Sequence, residues 1–309
     1  MSAVPQLVSV VIPTRDGADT LPELVAALAR QRTRFDVEVI AIDSGSRDAT
    51  REILCAAGVG VHEIAPGDFD HGETRNAAIT LATGDPIVLL TQDAVPQGEG
   101  FLEALVAPFT DPEVVAVYGR QIPRADCDAV TRRQLEAAPT GRDEAARAQC
   151  PPGSLATMQP AQRLHLCTFD NVCSALRREF WRDHPFPRSD FGEDVAFGRS
   201  VIEAGLAIAY TPAAAVVHSH RRSLGYEFRR TRLCHRRLHE LFELETLPHA
   251  AGVARATLAN WRRDLPWVWR HAPPGAERAR QLLRIAALSF VSPLAQHLGS
   301  RDARRRTTS

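Results

Sequence analysis

Lysine is missing altogether from the 309 residues, so all 37 basic side chains are arginine, matched by 37 acidic ones for a formal net charge of zero. Its absence excludes a Schiff-base lysine, a P-loop lysine and a lysine general base. Cysteine is sparse: Cys55, Cys127, Cys150, Cys167, Cys173 and Cys234 are scattered with no Cys-x-x-Cys pair. That pattern fits reduced thiols better than a disulfide framework. No Gly-x-Gly-x-x-Gly follows the first apolar run, which counts against a nicotinamide-type site, and no Gly-x-Ser-x-Gly elbow of a hydrolase occurs. The start of the chain lacks the basic-then-apolar pattern of a signal peptide. No apolar run reaches the roughly 18 residues of a spanning helix. The best stretch, 282–298, is broken by Arg284, Pro293, Gln296 and His297. The sequence thus predicts a cytoplasmic protein.

With 44% hydrophobic and 24% charged residues, the chain has enough apolar material for a large core, and bulk disorder is excluded. The zero net charge conceals an asymmetry: residues 1–194 hold 18 Arg against 29 acids, and residues 195–309 hold 19 Arg against 8.

Short β-branched runs at 7–12, 37–42, 59–64 and 87–90 read as strands. Helical spacing at 20–30, around 50–57 and at 74–82 places helices between them. Strands alternating with helices of about ten residues predict an α/β fold with a mostly parallel central sheet. Ligands of such sheets bind beyond the carboxyl ends of the strands. The polar loops 13–17, 43–48 and 91–96 fall there.

Asp43-Ser44-Gly45-Ser46-Arg47-Asp48 follows a strand; its carboxylate suits a base or ribose, although Asp, Ser and Gly equally make a turn. Asp68-Phe69-Asp70-His71-Gly72-Glu73-Thr74-Arg75-Asn76 precedes a helix, where Arg75 suits a diphosphate and the acids suit capping. Thr91-Gln92-Asp93-Ala94 ends an apolar strand, a place for one carboxylate on a divalent cation. Glu193-Asp194 opens a helix, as dipole complement or as general base. His218-Ser219-His220 puts two imidazoles on one face if the strand continues, for a metal ion or an anion.

In this order the motifs resemble family 2 glycosyltransferases of the GT-A fold. Asp68-Phe69-x-His71-Gly72-x-Thr74-Arg75-Asn76, Leu90-Thr91-Gln92-Asp93-Ala94-x-Pro96, Tyr118-Gly119-Arg120-Gln121-x-Pro123 and the stretch from Ala209 to His220 resemble bacterial rhamnosyltransferases most closely. The likeness covers roughly residues 7–240. It implies a nucleotide-sugar donor, dTDP-L-rhamnose, and a divalent metal, Mg²⁺ or Mn²⁺. It places Pro13, Thr14, Arg15, Asp43, Gln92 and Asp93 around the donor, with Arg75 at the diphosphate. Asn171, Glu193 and Arg120 fall near the acceptor. Many relatives carry an Asp-x-Asp where this chain begins with Thr91, so ligation rests on Asp93 with His218 or His220. The implied reaction is a single displacement with inversion in which Asp194 takes the acceptor proton. Two alternatives are a transferase of the same fold using a UDP-sugar and a non-catalytic nucleotide-sugar-binding protein. The missing acid at Thr91 favours the latter, and Arg75 with Glu193-Asp194 opposes it.

Residues 1–222 are expected to form the GT-A domain, with a mobile loop at about 123–163. Residues 223–300 form a basic amphipathic helical extension, and 301–309 a disordered tail. Arg221, Arg222, Arg229, Arg230, Arg232, Arg236 and Arg237 suit either internal ion pairs or an anionic lipid surface, the latter making the protein peripheral on the inner face of the cell membrane. The implied acceptor is a saccharide or a polyprenyl-diphosphate-linked glycan. Zero net charge and the lack of a recognisable module argue against nucleic acid.

Overall fold

A computed structural model describes residues 5–220 and 222–307. Arg221 of the basic segment and residues 308–309 of the tail lie outside the described residues. The chain divides into two compact units, one of Met1–Ile122, Pro139–Met158 and His165–His218, the other of Pro123–Ala138, Gln159–Leu164 and Ser219–Ser309.

The first unit is built on a nine-stranded sheet. β1 (Leu7–Thr14), β2 (Asp36–Asp43), β3 (Gly60–Glu63) and β4 (Ile87–Leu90) pair in parallel in the order β3-β2-β1-β4. Three helices return the chain between them: α1 (Leu21–Ala29), α2 (Thr50–Ala56) and α3 (His71–Leu81). β1 and β4 are β-branched or leucine at nearly every position because both faces of these strands are buried. Val8, Val10, Ile12, Val88 and Leu89 are wholly buried, each such side chain contributing about 1.5–3 kcal/mol over exposure. β5 (Val95–Pro96) and α4 (Phe101–Val106) follow, then β6 (Val114–Ile122).

In the second unit α5 (Ala129–Glu136) is capped by Asp128, which accepts from Thr131 N at 2.8 Å. β7 (Ala146–Ala148) returns to the sheet, and α6 (Pro160–Leu166) precedes β8 (Cys173–Leu176), α7 (Arg178–Asp183), α8 (Glu193–Glu203) and β9 (Ala207–Val217). The region expected to be a mobile loop, 123–163, therefore holds regular elements. Its hydrogen-bonded cap and the buried Val130 and Cys150 hold it, features that its polar composition conceals.

The sheet continues from β4 as β8-β6-β9-β5, with β7 also on β9. β8 runs antiparallel between β4 and β6, and β6 pairs in parallel with β9. Six of the nine strands point one way, which makes the sheet mostly parallel. A register shift between Gly119 and Arg120 lets β9 carry extra residues against β6, so that Val217 ends opposite Ile122. Gly119 is required there: a Cβ would strike the Ala214 carbonyl and the Cys173 sulfur.

The second unit also contains α9 (Leu224–Phe242), α10 (Ala250–His271) and α11 (Ala276–Thr307). Ser223 caps α9 by accepting from Tyr226 N. Val130, Val268, Ile285 and Leu288 form its apolar centre. Arg284 meets Asp128 at 2.5 Å, and Gln281 accepts from Ala129 N at 3.0 Å. The tail expected to be disordered from 301 is helical through Thr307. Asp302 takes Arg232 through two hydrogen bonds, at 2.6 and 3.0 Å, and Arg304 takes Glu245 at 2.7 Å. Tertiary ion pairs thus extend a helix whose end is too polar to predict. Among the described residues no helix is long and apolar enough to cross a membrane.

Candidate active site

At the carboxyl end of β1, Pro13 lies opposite Ile42 and Thr14 opposite Asp43. The Asp43 side chain is wholly buried. It accepts from Thr14 Oγ1 at 3.1 Å, from Ser46 N at 2.9 Å and from Ser46 Oγ at 2.5 Å. Three donors offset the cost of burying a carboxylate. Ser46 Oγ in turn accepts from Asp16 N at 2.8 Å, and Asp16 Oδ1 from Arg47 N at 2.9 Å. The loops after β1 and β2 are thereby locked into one polar rim. Gln92 joins the loop after β4 to the same rim: it accepts from Arg15 N at 2.8 Å and donates to Arg15 O at 3.0 Å. The Arg15 side chain is left exposed.

Asp93 follows Gln92, and its Oδ1 lies 3.6 Å from His218 Nε2. His218 leaves β9 with its backbone N–H bound to Ile122 O at 2.9 Å, and its ring is buried. The far side of the ring, Nδ1, meets Gln121 Oε1 at 2.9 Å. Gln121 Nε2 donates to Asp170 Oδ2 at 3.1 Å, and Asp170 Oδ1 accepts from Val172 N at 2.8 Å. Typical metal–ligand distances are about 2.1 Å, so a 3.6 Å separation allows one ion to touch both Asp93 and His218. A carboxylate oxygen suits Mg²⁺ or Mn²⁺, and a neutral imidazole nitrogen is a common ligand of divalent ions. The Thr91 hydroxyl is shut off from solvent, leaving Asp93 as the ligand from that loop. His220 lies two residues further along the chain.

Glu193 and Asp194 open α8 just after Gly192, whose φ of 73° lies in the left-handed region glycine favours. The two carboxylates receive opposite treatment. Glu193 Oε1 accepts from Arg75 at 2.9 Å and from Asn171 at 3.3 Å, all three side chains being buried. Burial pushes the Asp194 carboxyl well above the ordinary carboxylate range, and the negative charges of Glu193 and Asp170 push the same way. Arg75 also donates to His71 O at 2.9 Å. This guanidinium, placed at a diphosphate by the sequence, is buried in the structure and ion-paired with Glu193. Arg120, expected near the acceptor, is half-buried and ion-paired with Asp143.

Thr14, Asp43, Gln92 and Asp93 thus gather along the carboxyl ends of β1, β2 and β4. Asn171, Glu193 and Asp194 gather beside Arg75. Asp170, which faces both Gln121 and the charge of Asp194, was not singled out by the sequence. Its only local signal is a polar Asp170-Asn171 pair before a buried strand.

Fold and site together define a GT-A glycosyltransferase. The chain belongs to glycosyl transferase family 2, whose model matches residues 9–183. Among curated relatives, the O-antigen chain rhamnosyltransferase RfbN of Salmonella typhimurium is 31% identical over 231 residues, 72% of this chain and 69% of that protein. The O-antigen chain rhamnosyltransferase WbaN of Salmonella anatum is 32% identical over 208 residues, 65% of this chain and a little under two thirds of that protein, 62%. In the family, then, the chain is close to rhamnosyltransferases. The mannosyltransferase PcManGT of Pyrobaculum calidifontis, solved with GDP-Man and Mn²⁺, has a TM-score of 0.62 at 17% identity over 98% of this chain and 88% of its own. A glucosyl-3-phosphoglycerate synthase of Mycobacterium tuberculosis, solved with Mn²⁺, UDP-Glc and phosphoglyceric acid, has a TM-score of 0.54 at 19% identity over 79% of this chain and 82% of its own.

Proposed function

We propose that the chain is an inverting rhamnosyltransferase. It moves L-rhamnose from dTDP-L-rhamnose to a hydroxyl of a saccharide or polyprenyl-diphosphate-linked acceptor in cell-envelope polysaccharide synthesis. The similarity to two O-antigen rhamnosyltransferases supports the sugar. The observation that carries the reaction type is the division of labour in Glu193-Asp194. Arg75 and Asn171 hold Glu193 in place, while Asp194 is left with raised basicity at the mouth of α8.

In this reading the acceptor oxygen attacks the anomeric carbon from the face opposite the leaving group. Its proton passes to Asp194, and the bond to the nucleoside diphosphate breaks with its electron pair going to phosphate. A positioned base contributes about 10²–10⁴-fold to such a step. Thr14, Asp43 and the Ser46 loop shape the nucleotide end, with Pro13, Arg15 and Gln92 at its edge. Asp93 and His218 would hold Mg²⁺ or Mn²⁺. A divalent cation there supplies charge stabilisation for the diphosphate as it leaves. Arg75 acts at one remove, holding Glu193 in position through their hydrogen-bonded ion pair.

We further place the protein in the cytoplasm, peripheral on the inner membrane face. Two features of the second unit support this. Trp269 is 58% and Leu283 75% exposed, with Tyr226 and Phe290 also open. α9 carries Arg229, Arg230, Arg232, Arg236 and Arg237.

A thermal-shift screen of dTDP- and UDP-sugars with and without Mn²⁺ tests the function. A donor present at 100 times its Kd adds about 2.7 kcal/mol of stability. We expect dTDP-L-rhamnose with Mn²⁺ to give the largest rise in Tm. A UDP-sugar giving the largest rise would move the chain to another donor class, and no response to any nucleotide sugar would overturn the assignment.

A further inference from the structure

The family resemblance accounts for Asp93 and the histidines but leaves Gln121 and Asp170 without a role. Gln121 stands on β6 one residue from its end, buried, with a partner at each end of its amide. Both Asp170 oxygens accept hydrogen bonds, Oδ1 from a backbone N–H and Oδ2 from Gln121. A carboxylate only accepts, so the amide must turn its NH₂ to Asp170 and its carbonyl to the ring of His218. A carbonyl likewise only accepts. The His218 Nδ1 that meets it at 2.9 Å therefore carries the hydrogen. In the neutral ring the lone pair then falls on Nε2, the atom that faces Asp93 at 3.6 Å. The opposite tautomer would set a ring lone pair against the amide oxygen and an N–H where a cation should sit.

We propose that Gln121, clamped by Asp170, is a positioning residue that fixes His218 in the Nδ1–H tautomer and so presents Nε2 as a metal ligand opposite Asp93. This inference rests on the reading of Asp93 and His218 as the metal site. An outer partner of this kind typically changes metal affinity by about 10–100-fold when lost. The backbone contributes the other half of the arrangement. The β6–β9 register and the His218 N–H bond to Ile122 O bring residues 121 and 218 side by side.

The experiment uses the full chain, Mn²⁺ alone and no donor, with three readouts. Manganese affinity is measured by electron paramagnetic resonance for the wild type, Gln121→Leu, Gln121→Glu and His218→Ala. Nitrogen-15 NMR of histidine-labelled, metal-free protein reports the His218 tautomer, assigned by difference with His218→Ala. Thermal melting checks that each variant is folded. We expect His218→Ala to abolish tight Mn²⁺ binding and Gln121→Leu to weaken it about 10–100-fold. Gln121→Glu keeps an acceptor for Nδ1–H, and should retain more affinity than the leucine variant. The wild-type His218 should give the Nδ1–H pattern. If His218→Ala binds Mn²⁺ as the wild type does, the metal reading itself fails. If His218→Ala loses Mn²⁺ but a folded Gln121→Leu binds normally, the metal reading stands and the role of Gln121 is overturned. If Gln121→Leu does not fold, the wild-type tautomer decides: an Nε2–H pattern overturns the proposal.

Discussion

Adjacent carboxylates in sequence can have opposite chemistry, and Glu193 and Asp194 show how. The first is buried with an arginine and an amide; the second is half-buried beside two negative charges. Replacing Asp194 by Asn should therefore do two things at once. Turnover should fall about 10²–10⁴-fold, as expected for loss of a general base, while donor binding measured by calorimetry stays at the wild-type value. Near-wild-type turnover would remove Asp194 from the role. Stability should move the other way. A carboxyl whose folded pKa is raised holds its proton after the unfolded chain has lost its own, so the folded state binds more protons and stability falls as pH rises between the two values. Asn at 194 removes that loss. The Tm advantage of Asp194→Asn over the wild type should be larger at pH 8 than at pH 5, and an advantage that shrinks as pH rises would contradict the burial argument.

At the scale of elements, the site depends on how β6 and β9 meet. His218 reaches Gln121 because a shift at Gly119 absorbs the extra residues of β9. Gly119→Ala places a methyl against the Ala214 carbonyl and the Cys173 sulfur, and overpacking of this sort costs about 1–3 kcal/mol. For a chain of this size that is a loss in Tm of about 2–4 °C per kcal/mol. Scanning calorimetry should show it, together with weaker Mn²⁺ binding as His218 is displaced. An unchanged Tm would mean that the bulge can move aside. β4 was legible because a strand buried on both faces is apolar along its whole length, as in Ile87–Leu90, and β1 and β2 were legible from their β-branched runs. The elements within 123–163 were not, because β7 is a three-residue strand of Ala146–Ala148 and α5 owes its start to one Asp128 cap. Neither leaves a periodic apolar signal.

At the scale of the whole molecule, the cancellation of charge between the two halves becomes a testable property. Part of the C-terminal arginine excess is consumed internally: Arg232 pairs with Asp302, Arg236 and Arg237 with Glu240, and Arg304 with Glu245. A surface arginine near an anionic membrane contributes about 1 kcal/mol. The variant Arg229→Glu, at an exposed position of α9, should bind anionic phosphatidylglycerol vesicles at least about tenfold more weakly than the wild type, and 0.5 M salt should release the wild type. Co-sedimentation checks both, and absence of wild-type binding to such vesicles would refute the membrane reading.

The amino-acid sequence by itself determined the α/β alternation, the family, the loops at the strand ends and the candidates Asp43, Asp93, Asp194 and His218. These depend on local apolar periodicity and on short contiguous motifs. Only the tertiary structure decided that Arg75 serves Glu193, from a residue 118 positions away along the chain. Likewise, only the fold brought Asp170, Gln121 and His218 into one hydrogen-bonded line, across separations of 49 and 97 residues. Contacts of that kind are set by strand order and register, which a residue's sequence neighbours do not encode. The partner of a buried charge is likewise chosen by whichever group the fold brings within hydrogen-bonding distance.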